Sequence, residues 1–189
     1  VDIQEMEAAI EAILFTMGDS VELRKIARAI EQDEETTKKI IHNMMDRYNG
    51  AARGIHIIEL NGSFQLCTKN SMYEYLIKVV KQPSKMLLTD VVLETLSIVA
   101  YKQPITKLEI EKIRGVKCDH AVNKLIDYDL VQEVGRLDAP GKPILFGTTE
   151  EFLRNFGVRS VEDLPAINPV KLADFKAEAE EEAQLRLEI

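Results

Sequence analysis

The sequence predicts a mainly α-helical chain with small β-hairpins, an α+β protein built as two tandem winged-helix domains. Three observations predict it. First, the residues from Leu93 to Asp129 divide into three short helices with tight connections. Gln103-Pro104 breaks the first, since proline lacks the amide donor and forces its predecessor out of helical geometry. Thr106 with Glu109 three residues on is a capping-box signature that starts the second, and Gly115 stops it. Apolar spacing resumes at Ala121, Val122 and Leu125 for the third. Second, a pair of strands succeeds these helices, the wing of a winged helix. Third, the same order of elements occurs earlier in the chain.

Taken in order, Ile3 to Met17 carries Ile3, Met6, Ile10, Ile13, Leu14 and Met17 at the helical period, and Gly18-Asp19-Ser20 stops it. Val21 has the chemistry for a brief strand contact. A second helix carries Leu23, Ile26, Ala27 and Ile30, and a third, about Thr36 to Tyr48, carries Ile40, Ile41, Met44 and Met45. Gly54–Leu60 reads as a strand, Asn61-Gly62 as a tight hairpin turn and Ser63–Thr68 as the partner strand. A further helix is expected over Ser71–Lys81, then a short linker. In the second set, helices over Leu88–Tyr101, Lys107–Arg114 and Asp119–Asp129 precede strands at Leu130–Arg136 and Pro143–Phe146 and a helix over Glu150–Phe156. The first helix's buried face is expected through Leu93, Leu96, Ile98, Val99 and Ala100, and the second's through Ile110 and Ile113. Aligning the halves sets Ile10-Glu11 against Leu93-Glu94 and, after one inserted residue, Val21 against Ile105 and Ile26 against Ile110. The implied domains are 1–82 and 88–165, joined by a linker at 83–87 and followed by an acidic Ala/Glu-rich tail at 166–189. That tail reads either as solvated and frayed or as an amphipathic helix for a partner, with Val170, Leu172, Phe175 and Ala179 at rough helical spacing.

With 46% apolar and 30% charged residues in 189, the chain has the makings of soluble globular cores. No apolar run reaches the ~20 residues that span a bilayer, and no segment resembles a signal peptide, so a cytoplasmic protein is expected. Cys67 and Cys118 stand far apart without metal-ligand spacing and read as buried thiols rather than a disulfide. A net charge of −8 opposes phosphate at long range, although a local basic patch can still bind it.

The chemistry-bearing residues do not assemble into a catalytic pattern. His42, His56 and His120 fall in separate elements, and there is no HExxH, GxSxG or GxGxxG. The run from Gly135 to Pro143 resembles a phosphate loop at first sight. It has one residue too many between Gly135 and Gly141, and Pro143 stands where a metal-binding Ser or Thr is required. It also joins two strands, so a Gly-Pro wing turn is the better reading. No enzyme activity, cofactor or metal is expected.

DNA recognition is the natural rival for a helix-turn-helix protein. Thr36–Tyr48 is mildly basic, with Lys38, Lys39 and Arg47 against Asp46, whereas Asp119–Asp129 sets Lys124 against Asp119, Asp127 and Asp129. A tandem DNA reader is therefore disfavoured, leaving weak contact through the first of these helices. Protein binding is the alternative, with Tyr101, Ile105, Phe146 and Phe152 as apolar candidates for a partner surface.

The stretch LETLSIVAYKQPITKLEIEKIRGV, with LVQEVGR, GKPILFGTTEEFLRNFG and VEDLP after it, resembles the bacterial segregation and condensation protein B family. The match is close over Leu88–Pro165, while the first half agrees in element order and in pieces such as Glu11-Ala12-Ile13-Leu14-Phe15. Phe146 stands where the family usually has Tyr, and Lys142 where it often has Arg. The resemblance implies a non-enzymatic subunit of the bacterial condensin complex, associated with the nucleoid. It implies a homodimer that grips the kleisin subunit, segregation and condensation protein A, which bridges the heads of a structural-maintenance-of-chromosomes (SMC) ATPase. DNA contact would then be weak or indirect. Tyr101, Lys102, Ile105, Arg114, Arg136 and Phe146 are the partner-binding candidates on the matching motifs.

Overall fold

A computed structural model describes residues 2–50, 52–79 and 88–166. The expected linker at 83–87, and the tail beyond 166, lie outside them. The architecture is mixed α/β, with two three-stranded antiparallel sheets, each attended by helices.

In the first half, α1 (Ile3–Met17) places Met6, Ile10 and Leu14 on its buried face and ends at Gly18, whose left-handed φ of 67° suits glycine. The brief strand β1 (Val21–Glu22) leads into α2 (Leu23–Ala29) and α3 (Glu34–Gly50). Strands β2 (Ile55–Leu60) and β3 (Ser63–Thr68) meet at Asn61-Gly62, both at positive φ as a tight hairpin turn demands. Strand order is β1-β3-β2. The core gathers Ile10, Leu14, Ile26, Ile41, Met44, Ile57 and Phe64.

A single helical turn, α4 (Tyr73–Leu76), closes the first half. The second half repeats the plan with α5 (Asp90–Lys102), β4 (Ile105–Thr106), α6 (Lys107–Arg114), α7 (Asp119–Asp127), β5 (Val131–Arg136), β6 (Ile144–Thr148) and α8 (Glu150–Phe156), with sheet order β4-β6-β5. The Gln103–Pro104 peptide is cis. Thr106 and Glu109 form both reciprocal bonds of the expected capping box, and Gly115 ends α6 at φ 75°. The repeat is written into sheet register: Val21 pairs with Phe64 and Glu59 with Phe64, as Ile105 pairs with Phe146 and Glu133 with Phe146.

Several expectations change. Of the helix expected over Ser71–Lys81, the described part is a 3₁₀ turn at Asn70–Met72 followed by the one turn of α4, with Tyr75 and Val79 exposed; positions 80 and 81 lie outside the described residues. α5 buries Val92, Thr95, Leu96, Val99 and Ala100, leaving Leu93 exposed. Because Ile10 is core, the pairing of Ile10 with Leu93 fails although that of Val21 with Ile105 holds. Ile113 is 55% exposed, because α6 turns only the Ile110 side inward.

Candidate partner-binding surface

The six candidates divide between surface and core. Ile105 and Phe146 form a cross-strand pair with 3% and 2% of their surface exposed, which corrects the expectation that they present an exposed apolar face; Phe146 borders solvent only at the floor of a groove. The same burial removes Phe152, at 3%. The cause is β4, a strand of two residues that forms only because β6 is there to receive it, which places Ile105 inside the sheet's covered face.

Arg114 is largely enclosed, its side chain 4% exposed and its Nε 3.0 Å from Glu94 Oε2, pinning the end of α6 to α5. Tyr101 keeps an exposed ring face while its hydroxyl donates to the Pro165 carbonyl at 2.8 Å, tying down the end of the described chain. Lys102 is exposed at the last turn of α5. Arg136 is exposed at the base of the wing, its Nη1 donating to the Lys142 carbonyl. It lies opposite Ile144, four residues along β6 from Thr148, which spans about 13 Å at the usual strand rise. Gln103, next to Lys102, reaches Thr148 at the other end of β6, so the exposed candidates are spread along the second half and not gathered in a pocket.

Much of the motif material has a structural role. Gln103 Oε1 accepts from the Thr148 backbone at 2.8 Å, and Gln103 Nε2 donates to the Ala100 carbonyl and Thr148 Oγ1. A side chain at Gly147 would bring its Cβ to 2.8 Å from Gln103 Oε1 and 2.9 Å from Val134 Cγ1. AYKQPIT and GTT are therefore two sides of one junction between α5 and β6. Thr149 caps α8 by accepting from Phe152 N at 3.1 Å, and its hydroxyl also donates to the Asp129 carbonyl.

The cations of the helix left open for weak DNA contact are held by carboxylates. Lys38 Nζ is 3.0 Å and His42 Nε2 3.2 Å from the two oxygens of Glu59, Lys39 reaches Glu35 at 2.7 Å, and Arg47 reaches Glu7 at 2.5 Å. Burial pushes the Glu59 carboxyl up, but hydrogen bonds and charge from Lys38 and His42 outweigh it and hold the group below the ordinary 4.5. On the α7 side, Lys107 is likewise paired, with Asp119 at 3.0 Å.

Other reactive groups are quiet. Burial and the Lys69 charge hold His56 below 6.5, while burial pushes both thiols up, aided at Cys118 by Glu111 and Asp119. Raised thiols carry little thiolate and are poor nucleophiles or metal ligands. Among the described residues no three His, Cys, Asp or Glu side chains gather closely enough to hold a metal, and no helix is long and apolar enough to cross a membrane.

Two features escape sequence reasoning. Leu108 is 61% exposed beside a groove of about 400 Å³ floored by Phe146 and Ile144 and flanked by Lys107 and Lys117. Its signal is faint: an apolar residue between Lys107 and Glu109, off the face set by Ile110. Arg154 bridges the halves, and no local pattern marks it.

Geometry thus defines a class: paired helix-and-hairpin units whose α3 cations Lys38, Lys39 and Arg47 are held by carboxylates, with exposed apolar positions elsewhere. Comparison with known proteins is more specific. The family model for the segregation and condensation complex subunit ScpB matches residues 8–167. The chain is 66% identical over 188 residues to segregation and condensation protein B of Lachnoclostridium phytofermentans, covering 100% of both chains. It is 61% identical to the protein of that name from Agathobacter rectalis, covering 97% of this chain and 98% of the other. Among solved structures, ScpB from Mycobacterium tuberculosis is 30% identical, with 84% of this chain and 98% of the other covered and a TM-score of 0.41. A dimer of an ScpB N-terminal domain complexed with a ScpA peptide is 35% identical over 41% of this chain and 98% of the other, with a TM-score of 0.40. The chain belongs to the segregation and condensation protein B family.

Proposed function

We propose that this chain is a non-enzymatic adaptor subunit of the bacterial SMC–kleisin condensin complex, acting in chromosome condensation and segregation. It works as a homodimer of tandem winged-helix chains, with domains at 1–82 and 88–165, and grips the kleisin, segregation and condensation protein A. Through the kleisin it is joined to the SMC ATPase, in the cytoplasm at the nucleoid. The observation that carries this reading is the end-to-end match to segregation and condensation protein B. The pairing of Lys38, Lys39 and Arg47 with carboxylates supports it, since the adjoining negative charges offset the positive potential a phosphate would meet there.

The kleisin contact is assigned to the exposed surface of the second half. Tyr101, Lys102 and Arg136 touch the partner directly, Leu108 supplies an apolar anchor, and Arg114 holds α6 in place behind them. Size-exclusion chromatography with light scattering tests this, on the chain alone and with the middle region of the kleisin. The expected result is twice the 21.4 kDa chain mass alone and a heavier co-eluting species with the kleisin. A monomer that ignores the kleisin would overturn the reading.

A further inference from the structure

Among the described residues the two halves meet along one seam, the β2–β3 hairpin against α8 and the chain just after it, with an apolar part and a polar part side by side. In the apolar part, the tip of the β2–β3 hairpin leaves its own core: Leu60, 2% exposed, belongs to the second half's apolar cluster, and Ile58 packs against it. The Asn61 backbone N–H donates to the Arg159 carbonyl there at 2.8 Å. In the polar part, α8 reaches the end of α1 and the middle of β3. Arg154 Nε donates to Gln65 Oε1 at 3.1 Å and its Nη2 lies 3.8 Å from Asp19 Oδ1, while Glu151 of its own helix holds the guanidinium. Gln65 passes the connection on by donating to the Gly18 carbonyl at 2.9 Å. The Ser20 hydroxyl donates to Glu150 beside it.

An apolar contact alone is non-directional and lets the halves rock about it, whereas directional hydrogen bonds and an ion pair beside it oppose that rocking. Domain pairs joined by small polar interfaces move relative to each other by default. Here an apolar insertion supplies the pivot and a charged side chain supplies the directional restraint. A cleft of about 470 Å³ runs between the β2–β3 sheet and α8, with Met45, His56 and Cys67 on one wall and Leu153, Arg154 and Val158 on the other. The cleft borders the packed contact of Ile58 and Leu60 with Leu153, so the halves touch along only part of their facing surfaces.

We propose that Arg154 is an intramolecular latch: the hairpin tip at Leu60–Asn61 is the pivot between the halves, and Arg154, helped by Glu150, sets their angle by holding Gln65, Asp19 and Ser20. The latch makes the two halves one rigid body, and it does so whatever partner the molecule binds. Residual dipolar couplings of backbone amides in the full chain test it, because halves at a fixed angle share one alignment tensor. The wild type is expected to fit one tensor. Arg154→Met combined with Ser20→Ala is expected to need a separate tensor for each half, with amide shifts remote from α8 unchanged. Should that variant fail to fold, Asp19→Ala combined with Gln65→Met cuts the same latch from the other side and is expected to give the same split. Separate tensors in the wild type, or a single tensor retained in whichever latch variant folds, would overturn the proposal.

Discussion

The two halves share one plan and use it differently. Each hangs on a phenylalanine in its returning strand, Phe64 or Phe146, paired with a brief strand on one side and a glutamate on the other. In the first half that glutamate, Glu59, is nearly covered and tied to Lys38 and His42. In the second, Glu133 is exposed, and a bulge beside it turns Val134 out to solvent. The junction between first helix and sheet is built from opposite ends. Gln65 reaches from β3 back to Gly18 at the end of α1, whereas Gln103 reaches from the end of α5 across to Thr148 on β6. The first hairpin is consumed in structure, against α3 on one side and the second half on the other. The second leaves β5 and the turn after it exposed. One plan thus covers the hairpin in one copy and leaves it exposed in the other.

Substitutions that break this comparison rank by what they remove. Phe64→Ala and Phe146→Ala should each cost about 3–5 kcal/mol, since both empty the centre of a core. Urea unfolding followed by circular dichroism checks this, and a cost below about 1 kcal/mol for either would show that the shared register is not what holds that half. Gly147→Ala should come next, at about 1–3 kcal/mol, because its methyl would enter the Gln103–Val134 contact; the urea midpoint reads it directly. Thr106→Ala, which removes the cap of α6, should cost about 1 kcal/mol, with no counterpart at Glu22, whose side chain makes no cap bond to α2.

The smallest expected effect is in pH. His56 is held below 6.5 in the fold, so the unfolded chain takes up a proton that the folded chain refuses. Its contribution is complete above 6.5 and falls as pH drops from there toward the lowered folded value. The urea midpoint should therefore fall between about pH 7.5 and about pH 5.5, and His56→Gln should flatten that fall. An unchanged slope in the variant would assign the effect to another group.

The legible parts of the fold are those decided within a few residues. Thr106 with Glu109, Asn61 with Gly62 and the glycine stops at 18 and 115 carry their own geometry, and α1, α6 and α8 begin and end where the sequence puts them. What escapes depends on distant partners. Two residues at Ile105–Thr106 become a strand only beside β6, which is why Ile105 and Phe146 look available for a partner until the sheet is seen. Periodicity marks a helix's apolar positions without saying how wide the covered face is, so Leu93 and Ile113 read as inward and lie outward. Leu60 leaving its own half for the other's core, and Arg154 spanning 89 residues to Gln65, have no local signature at all.

The proposed kleisin contact lies on the second half's open surface and not on the charged helix α3 of the first. Calorimetric titration of the full chain with the kleisin middle region tests it most directly. Tyr101→Ala and Arg136→Glu should each weaken binding about tenfold or more, equivalent to about 1.4 kcal/mol, while both variants melt cooperatively. Lys38→Glu with Lys39→Glu should leave the affinity unchanged. Full affinity in the first two variants with loss in the third would contradict the account and move recognition to α3.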